Sequence, residues 1–394
     1  MADSFISFHR PSIGVEESEA VQHVLDSRWL TTGPVTQQFE REFAAYVGSR
    51  YAVAVNSCTA ALHLALDAAG IREGDEVVVP SYTFAATAAV VAHCGARPVL
   101  CDSVPGGFNI DPADAERRIT SSTKAIIPVH LAGEPCDLQA LQKLSQAKSL
   151  HLIEDAAHAV PASYRGKRIG SISEFTAFSF YATKTITSGE GGMLATNNED
   201  FAKRASIMRL HGISGDAWKR YTSEGSWYYE IVNAGLKANM PDLLAAIGVV
   251  QLKKADAFHQ RRSEISETYL HRLGKVDELE MPPAVSSDKT HSWHLFILRL
   301  RPSMLKINRS EMIRQLKECG IGTSVHFIPL HLHPYYQQTF GYSKGDFPHA
   351  EDAYTRCLSL PIYPDMSNSE VERVMATVER IVVKNRRRVL VDAI

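Results

Sequence analysis

The chain has 394 residues, 45% hydrophobic and 22% charged, with a formal net charge of -2. This is too long for one small core, and the charge balance gives no electrostatic reason to bind nucleic acid. No stretch approaches the roughly 20 apolar residues that span a bilayer, and the first fourteen residues lack a charged-then-apolar leader. The six cysteines (Cys58, Cys94, Cys101, Cys136, Cys319, Cys357) form no CxxC pair, so the expectation is a cytoplasmic enzyme without a membrane, nucleic-acid or metal partner.

Residues 15–27 carry apolar side chains at Ala20, Val21, Val24 and Leu25, and Phe39, Phe43, Tyr46 and Val47 repeat that spacing after Pro34. Two helices are predicted ahead of the core. β-branched runs then alternate with helical segments: YAVAV at 51–55, EVVVP at 76–80, RPVLC at 97–101, KAIIPV at 124–129, LHLIE at 150–154, EFTAFSF at 174–180 and GGMLAT at 191–196. Alternation at this period predicts an α/β domain with a large, mostly parallel sheet of seven strands covered by helices on both faces. From Phe258 the pattern changes to a long polar helix, a strand at 293–300, a helix at 310–319 and a terminal helix after Ser367. The expected division is residues 1–257 for an N-terminal segment and large domain, and 258–394 for a smaller α+β domain.

Chemistry-bearing residues sit at the ends of these strands. Lys184 follows EFTAFSF and precedes a glycine-rich turn in SFYATKTITSGEGGM. A lone lysine there is ordinarily a solvated loop residue, because lysine is rarely buried without a partner. Asp155 ends the strand in LHLIEDAAHA, where open α/β sheets place ligand-contacting groups, although an aspartate there also caps helices. In NSCTAALHLALDAAG at 56–70 a strand ends and an alanine-rich helix begins. The N–H groups of Cys58, Thr59 and Ala60 at its positive terminus suit a phosphate, or simply an N-cap. Phe84 follows a strand end in PSYTFAATAAV, where an aromatic face can stack on a planar ring or join the core.

Together with SRWLTTGPVTQQFEREFAAYVGSRYAVAV, PVHLAGEPCDL, KANMPDLLAAIGVVQL, VHFIPLHLHPYY and LSLPIYPDM, these segments resemble the DegT/DnrJ/EryC1/StrS sugar aminotransferases, of the fold-type-I class of pyridoxal 5'-phosphate (PLP) enzymes. The resemblance covers nearly the whole chain. It implies that Lys184 forms the Schiff base with PLP and shuttles the proton, with Asp155 on the pyridine nitrogen and Phe84 on the ring. It implies phosphate contacts from Ser57, Cys58, Thr59, Ala60 and Ser179, and His158 beside the phenolic oxygen. It further implies a homodimer with shared sites, in which Asn239 reaches the neighbour's phosphate, and substrate contacts from Trp29, Thr31, Thr32 and His326.

The implied reaction takes an amino group from an amino-acid donor, expected to be L-glutamate, through the pyridoxamine form, to a keto sugar. A nucleotide-linked 4-keto-deoxy-sugar is favoured, with a keto-cyclitol or keto-octulosonate acceptor, or a noncatalytic regulator of the same fold, as alternatives. Arg28, Lys219, Arg220 and Lys237 are candidate anchors for a diphosphate. His331 and His333 are discounted as a metal pair because Pro329 and Pro334 interrupt regular structure around them. Three positions depart from the family pattern: Cys58 where Gly or Ala is commoner, Ala238 where an aromatic is usual, and Val160–Pro161 after His158. The family's dehydratases replace the lysine, so Lys184 argues for amino transfer.

Overall fold

The computed structural model describes residues 5–214 and 228–387. Two helices, α1 (Val15–Ser27) and α2 (Pro34–Val47), precede strand β1 (Tyr51–Val55). Then α3 (Cys58–Ala68), β2 (Glu76–Pro80), α4 (Ala85–His93), β3 (Arg97–Cys101), α5 (Pro112–Arg118), β4 (Thr123–Ile126), α6 (Leu138–Lys148) and β5 (His151–Asp155) alternate. A short hairpin, β6 (Ser163–Tyr164) and β7 (Lys167–Arg168), leads to β8 (Phe175–Ser179), β9 (Gly192–Thr196) and α7 (Glu199–Met208). The long helix α8 (Asp242–Leu273) follows, then β10 (Leu279–Glu280), β11 (Lys289–Thr290), β12 (Phe296–Leu300) and α9 (Arg309–Glu318). The chain continues through α10 (Pro334–Phe340), α11 (Pro348–Arg356), β13 (Cys357–Leu360) and α12 (Asn368–Asn385).

The large sheet runs β1-β9-β8-β5-β4-β2-β3. Strands β8, β5, β4, β2 and β3 are mutually parallel, while β9 pairs antiparallel with both β1 and β8. Every residue of β8 and β9 is buried, as expected of strands covered by helices on both faces. The parallel arrangement brings the C-terminal ends of β2, β5 and β8 to one edge, where Phe84, Asp155 and Ser179 emerge.

Two sequence expectations end short for local reasons. The regular strand in the run at 124–129 ends at Ile126, close to Pro128, which has no N–H to donate, although Ile127 N still bonds Val78 O and Val129 bridges Asp155. The strand expected from Trp293 begins only at Phe296, because Trp293 adopts a left-handed φ of 51°.

A second core gathers Ile265, Tyr269 and Leu273 of α8 with Phe296, Leu298, Leu358, Val374 and Val378. Helix α8 therefore runs unbroken through position 257/258 and contributes to both cores. The N-terminal segment, grouped with the large domain by sequence, reaches this second core. Ile6 is buried in this second core, and its N–H and C=O bond Gly320 O and Gly322 N at 2.8 Å each, a strand-like pairing with Ile321. Among the described residues, no helix is long and apolar enough to cross a membrane.

Candidate active site

Asp155 leaves β5 with its carboxylate 5% exposed and held from two sides. Thr87 Oγ1 donates to Oδ2 at 2.8 Å and Ala157 N donates to Oδ1 at 3.1 Å. Thr87 spends its proton on Asp155, so Thr83 Oγ1 donates to Thr87 at 2.9 Å, making a relay from the segment before α4 into its first turn. Burial pushes the Asp155 carboxyl above the usual carboxylate range, opposed by the Thr87 and Ala157 bonds and by the Lys184 ammonium. No helix follows Asp155 directly, so its side chain closes a tight turn and does not cap a helix.

Lys184 sits in the turn after β8, its N–H bonded to Tyr181 O at 2.9 Å. Among the described residues no hydrogen bond or ion pair holds its Nζ. Burial lowers its pKa from 10.5 to about 8, opposed by Cys58 and Asp155. The side chain opens into a cavity of about 510 Å³ also lined by Ser57, Cys58, Thr59, Phe84, Asp155, His158, Ser179 and His326. Residues from four strand ends and from the second domain thus meet at one place.

Helix α3 starts at this cavity. Ser57 caps it by accepting from Ala60 N at 3.1 Å, leaving Cys58 N and Thr59 N without partners among the described residues. The N–H of Ala60 is taken by the cap, and Ala60 does not line the cavity. Cys58 Sγ lies 3.9 Å from Asp155 Oδ1, so the unusual side chain turns along the floor and leaves the helix terminus clear. The start of β9 passes directly behind this turn: a Cβ added at Gly192 would lie 2.4 Å from Ser57 C and 2.6 Å from Cys58 N.

Much of the remaining wall is aromatic or imidazole, with Glu190 adding a carboxylate. Phe84 is 60% exposed and lines the cavity, so its ring face is open to a ligand. His158 Nδ1 accepts from Ala132 N at 3.2 Å, which fixes the proton of the neutral ring on Nε2. Gly133 beside it has a φ of 101°, and a Cβ there would lie 1.8 Å from Ser292 Oγ and 2.8 Å from His158 O. His326 Nδ1 pairs with Ser359 Oγ at 2.9 Å, and burial together with the Lys184 charge lowers its pKa to about 4. His158 and His294 are likewise held well below the ordinary histidine value by burial.

Four expected residues lie elsewhere in the subunit. Trp29, Thr31, Thr32 and Asn239 line a separate hollow of about 850 Å³ and not the Lys184 cavity. The reason is Asp242 at the start of α8, which accepts from Gly33 N at 2.8 Å, Thr36 N at 2.9 Å and Thr36 Oγ1 at 2.6 Å, clamping the 29–36 loop to the 239–242 segment. Asn239 Nδ2 donates to Thr32 Oγ1 at 2.6 Å, and Lys237 Nζ bonds Asn239 Oδ1. Arg28 and Lys237 do not line the cavity either, and Lys219 and Arg220 lie outside the described residues. His331 Nε2 bonds Glu351 Oε1 at 2.9 Å, while His333 precedes α10. Sequence reasoning missed Phe8, His9, Thr83, Glu190, His294 and Phe327, which line the cavity, and Thr87 behind Asp155. Thr83 and Thr87, one helical turn apart beside Phe84, carried a signal; the others come from distant segments.

Residues 11–379 match the DegT/DnrJ/EryC1/StrS aminotransferase family. The chain is 52% identical over 384 residues to protein MJ1066 of Methanocaldococcus jannaschii, covering 98% of this chain and 99% of that protein. It is 50% identical over 379 residues to the spore coat polysaccharide biosynthesis protein SpsC of Bacillus subtilis, covering 96% and 97% respectively. Spr1654 from Streptococcus pneumoniae, solved in its PLP form, superposes with a TM-score of 0.90 at 33% identity over 96% of this chain and 99% of that one. Its PMP form gives the same TM-score and identity. The sheet order and second domain are those of fold-type-I PLP transferases. The chain belongs to the DegT/DnrJ/EryC1/StrS family of sugar aminotransferases and is a PLP-dependent aminotransferase.

Proposed function

We propose that the enzyme moves an amino group from L-glutamate to a nucleotide-linked 4-keto-deoxy-sugar. The observation that carries this reading is the character of the cavity: apart from Lys184 its wall offers no cation, and beside the Asp155 and Glu190 carboxylates it presents hydroxyls, aromatic faces and neutral imidazoles. Such a wall suits an uncharged, hydroxyl-rich body, and a diphosphate has to be anchored outside it.

The residue types fit PLP. Two unpartnered N–H groups at the start of α3, with Ser57 and Ser179, suit a phosphate dianion. The buried carboxylate suits a ring nitrogen, and Phe84 offers its face to the ring. When bound, PLP supplies an electron sink for the carbanion formed at the substrate carbon. Lys184 would anchor it and carry the proton at Nζ, Asp155 would hold a charge at the ring nitrogen, and His158 would donate from Nε2 to the phenolic oxygen. His326 borders the substrate side.

In this reading Asn239, with the Trp29–Thr32 loop, serves the partner subunit's site, since all of them lie away from their own Lys184. The units on either side of 257/258, joined by the continuous helix α8, then act as a cofactor-holding unit and a cap. All six cysteines are unpaired thiols, which suits our placement of the reaction in the cytoplasm.

The test is a half-reaction screen: the pyridoxamine form mixed with nucleotide-linked keto sugars, free keto sugars, keto-octulosonates and keto-cyclitols. A nucleotide-linked 4-keto-deoxy-sugar should restore the absorbance of the pyridoxal form fastest; preference for a cyclitol would replace the reading. Placement of the phosphate at α3 has its own check. Pushing a methyl into packed backbone costs about 1–3 kcal/mol, so Gly192→Ala is expected to weaken PLP binding by roughly 10-fold. Unchanged PLP titration of the Gly192→Ala apoenzyme would move the phosphate elsewhere.

A further inference from the structure

The N-terminal segment crosses the cavity as a strap fixed at both ends. Ile6 is tied to Gly320 and Gly322, and Ser12 is held by Gln251 Nε2 on its carbonyl at 2.7 Å and by Asp365 Oδ1 on its hydroxyl at 2.7 Å. Between these anchors Phe8 and His9 face the cavity, with Phe8 packed on the His326 ring at 5.2 Å between centroids.

His9 Nε2 lies 3.1 Å from Ala182 O, two residues before Lys184. A carbonyl oxygen only accepts, so Nε2 carries the proton, and in the neutral ring Nδ1 is a bare lone pair. No described residue donates to it. Arg262 secures that neutrality. This guanidinium is 1% exposed and donates through Nη1 to the carbonyls of Trp293 (3.2 Å), His294 (3.3 Å) and Ile362 (2.8 Å). Its Nε and Nη2 are unpartnered, and no carboxylate among the described residues balances its charge. Burial, then the Arg262 charge, brings the His9 pKa down to about 4, so the ring stays neutral through the physiological range.

We propose that His9 is a specificity-determining residue whose Nδ1 accepts a hydrogen bond from a hydroxyl of the keto sugar beside the reacting carbonyl. This rests on the keto-sugar reading above. A bare lone pair welcomes an O–H and repels a carboxylate, so the contact serves the sugar half-reaction and not the glutamate half-reaction. It also complements His158, which presents an N–H to the same cavity. His9 thereby distinguishes the two substrates that take turns in one space.

Two amide substitutions separate this role from a structural one. In His9→Asn the amide oxygen stands where Nδ1 was, keeping an acceptor but losing the reach to Ala182 O. In His9→Gln the amide reaches the Nε2 position, keeping the bond to Ala182 O but losing the acceptor. The holoenzyme variants are assayed in both half-reactions with L-glutamate, and with a nucleoside-diphosphate 4-keto-6-deoxyhexose with or without its C3 hydroxyl. For the C3-hydroxyl sugar, His9→Gln is expected to raise KM by about 10-fold with kcat nearly kept, the size of one lost hydrogen bond. His9→Asn should stay much nearer the unaltered enzyme, KM for glutamate should hold in both, and the deoxy sugar should erase the difference between them. The reverse order, with Gln tolerated and Asn damaging, overturns the proposal in favour of a structural bond to Ala182. Equal losses in both half-reactions also overturn it. If the unaltered pyridoxamine form aminates no keto sugar, the functional reading falls and this inference with it. If that form works and both variants match it, only the inference falls.

Discussion

Lys184→Ala is expected to reduce turnover by about 10⁴-fold or more, since general acid–base transfer alone contributes roughly 10²–10⁴ and the covalent hold on the cofactor is lost with it. The measurement is glutamate-dependent formation of 2-oxoglutarate in a single turnover, and residual turnover within tenfold of the unaltered enzyme would remove the lysine from the chemistry. A pH profile tests the same assignment. With the pKa of Lys184 brought from 10.5 to about 8 by burial, roughly one amine in four is free base at pH 7.5, against about one in a thousand at the ordinary value. The step in which Lys184 accepts a proton should therefore rise with pH through about 8 and then level. An inflection near 10 would mean that burial does not act on this amine. Mixing Lys184→Ala with Asn239→Ala protomers extends the test to the proposed dimer. A heterodimer then holds one site with both the lysine and the asparagine, and recovered activity in that species is the expected result. No recovery would put Asn239 outside its neighbour's site.

The residues that sequence reading located are those tied to a strand end. Asp155 and Ser179 terminate strands, Lys184 follows one, and Phe84 comes just past another. For such residues, knowing the strand is enough to know the edge on which they emerge. His9 was out of reach by that logic, because its placement depends on a carbonyl 173 positions away and on a guanidinium in α8. The Trp29–Thr32 loop was assigned to the substrate without a place in the subunit. Asp242, more than 200 positions later in the chain, decides where it lies. Ala60 shows the same limit at short range. Three N–H groups at a helix start look alike in a sequence, yet the serine cap takes one and leaves two. Periodicity reports which residues share a face; it does not report which distant side chain consumes a donor.

Asp155→Asn is the sharper probe of the cofactor's surroundings because it changes charge with almost no change in shape. Ala157 N can still donate to the remaining side-chain oxygen, and an amide NH2 in place of Oδ2 can donate to Thr87 Oγ1, which then turns its own proton to Thr83, so the turn is kept with the relay reversed. What disappears is the anion that favours a protonated ring nitrogen, and losing one preorganised electrostatic partner in a water-poor site costs about 10²–10³-fold in rate. Stability should barely follow: the apoenzyme melting temperature is expected to move by no more than about 2 °C, since roughly 1 kcal/mol shifts a chain of this size by about 1 °C. The same substitution should act on Lys184. Removing a carboxylate that favours the ammonium lowers the lysine's pKa further, so the inflection in the pH profile should fall below about 8. A rate loss without that downward shift would separate Asp155 from Lys184. A shift without a rate loss would leave the carboxylate an electrostatic neighbour of the lysine with no part in the chemistry of the ring.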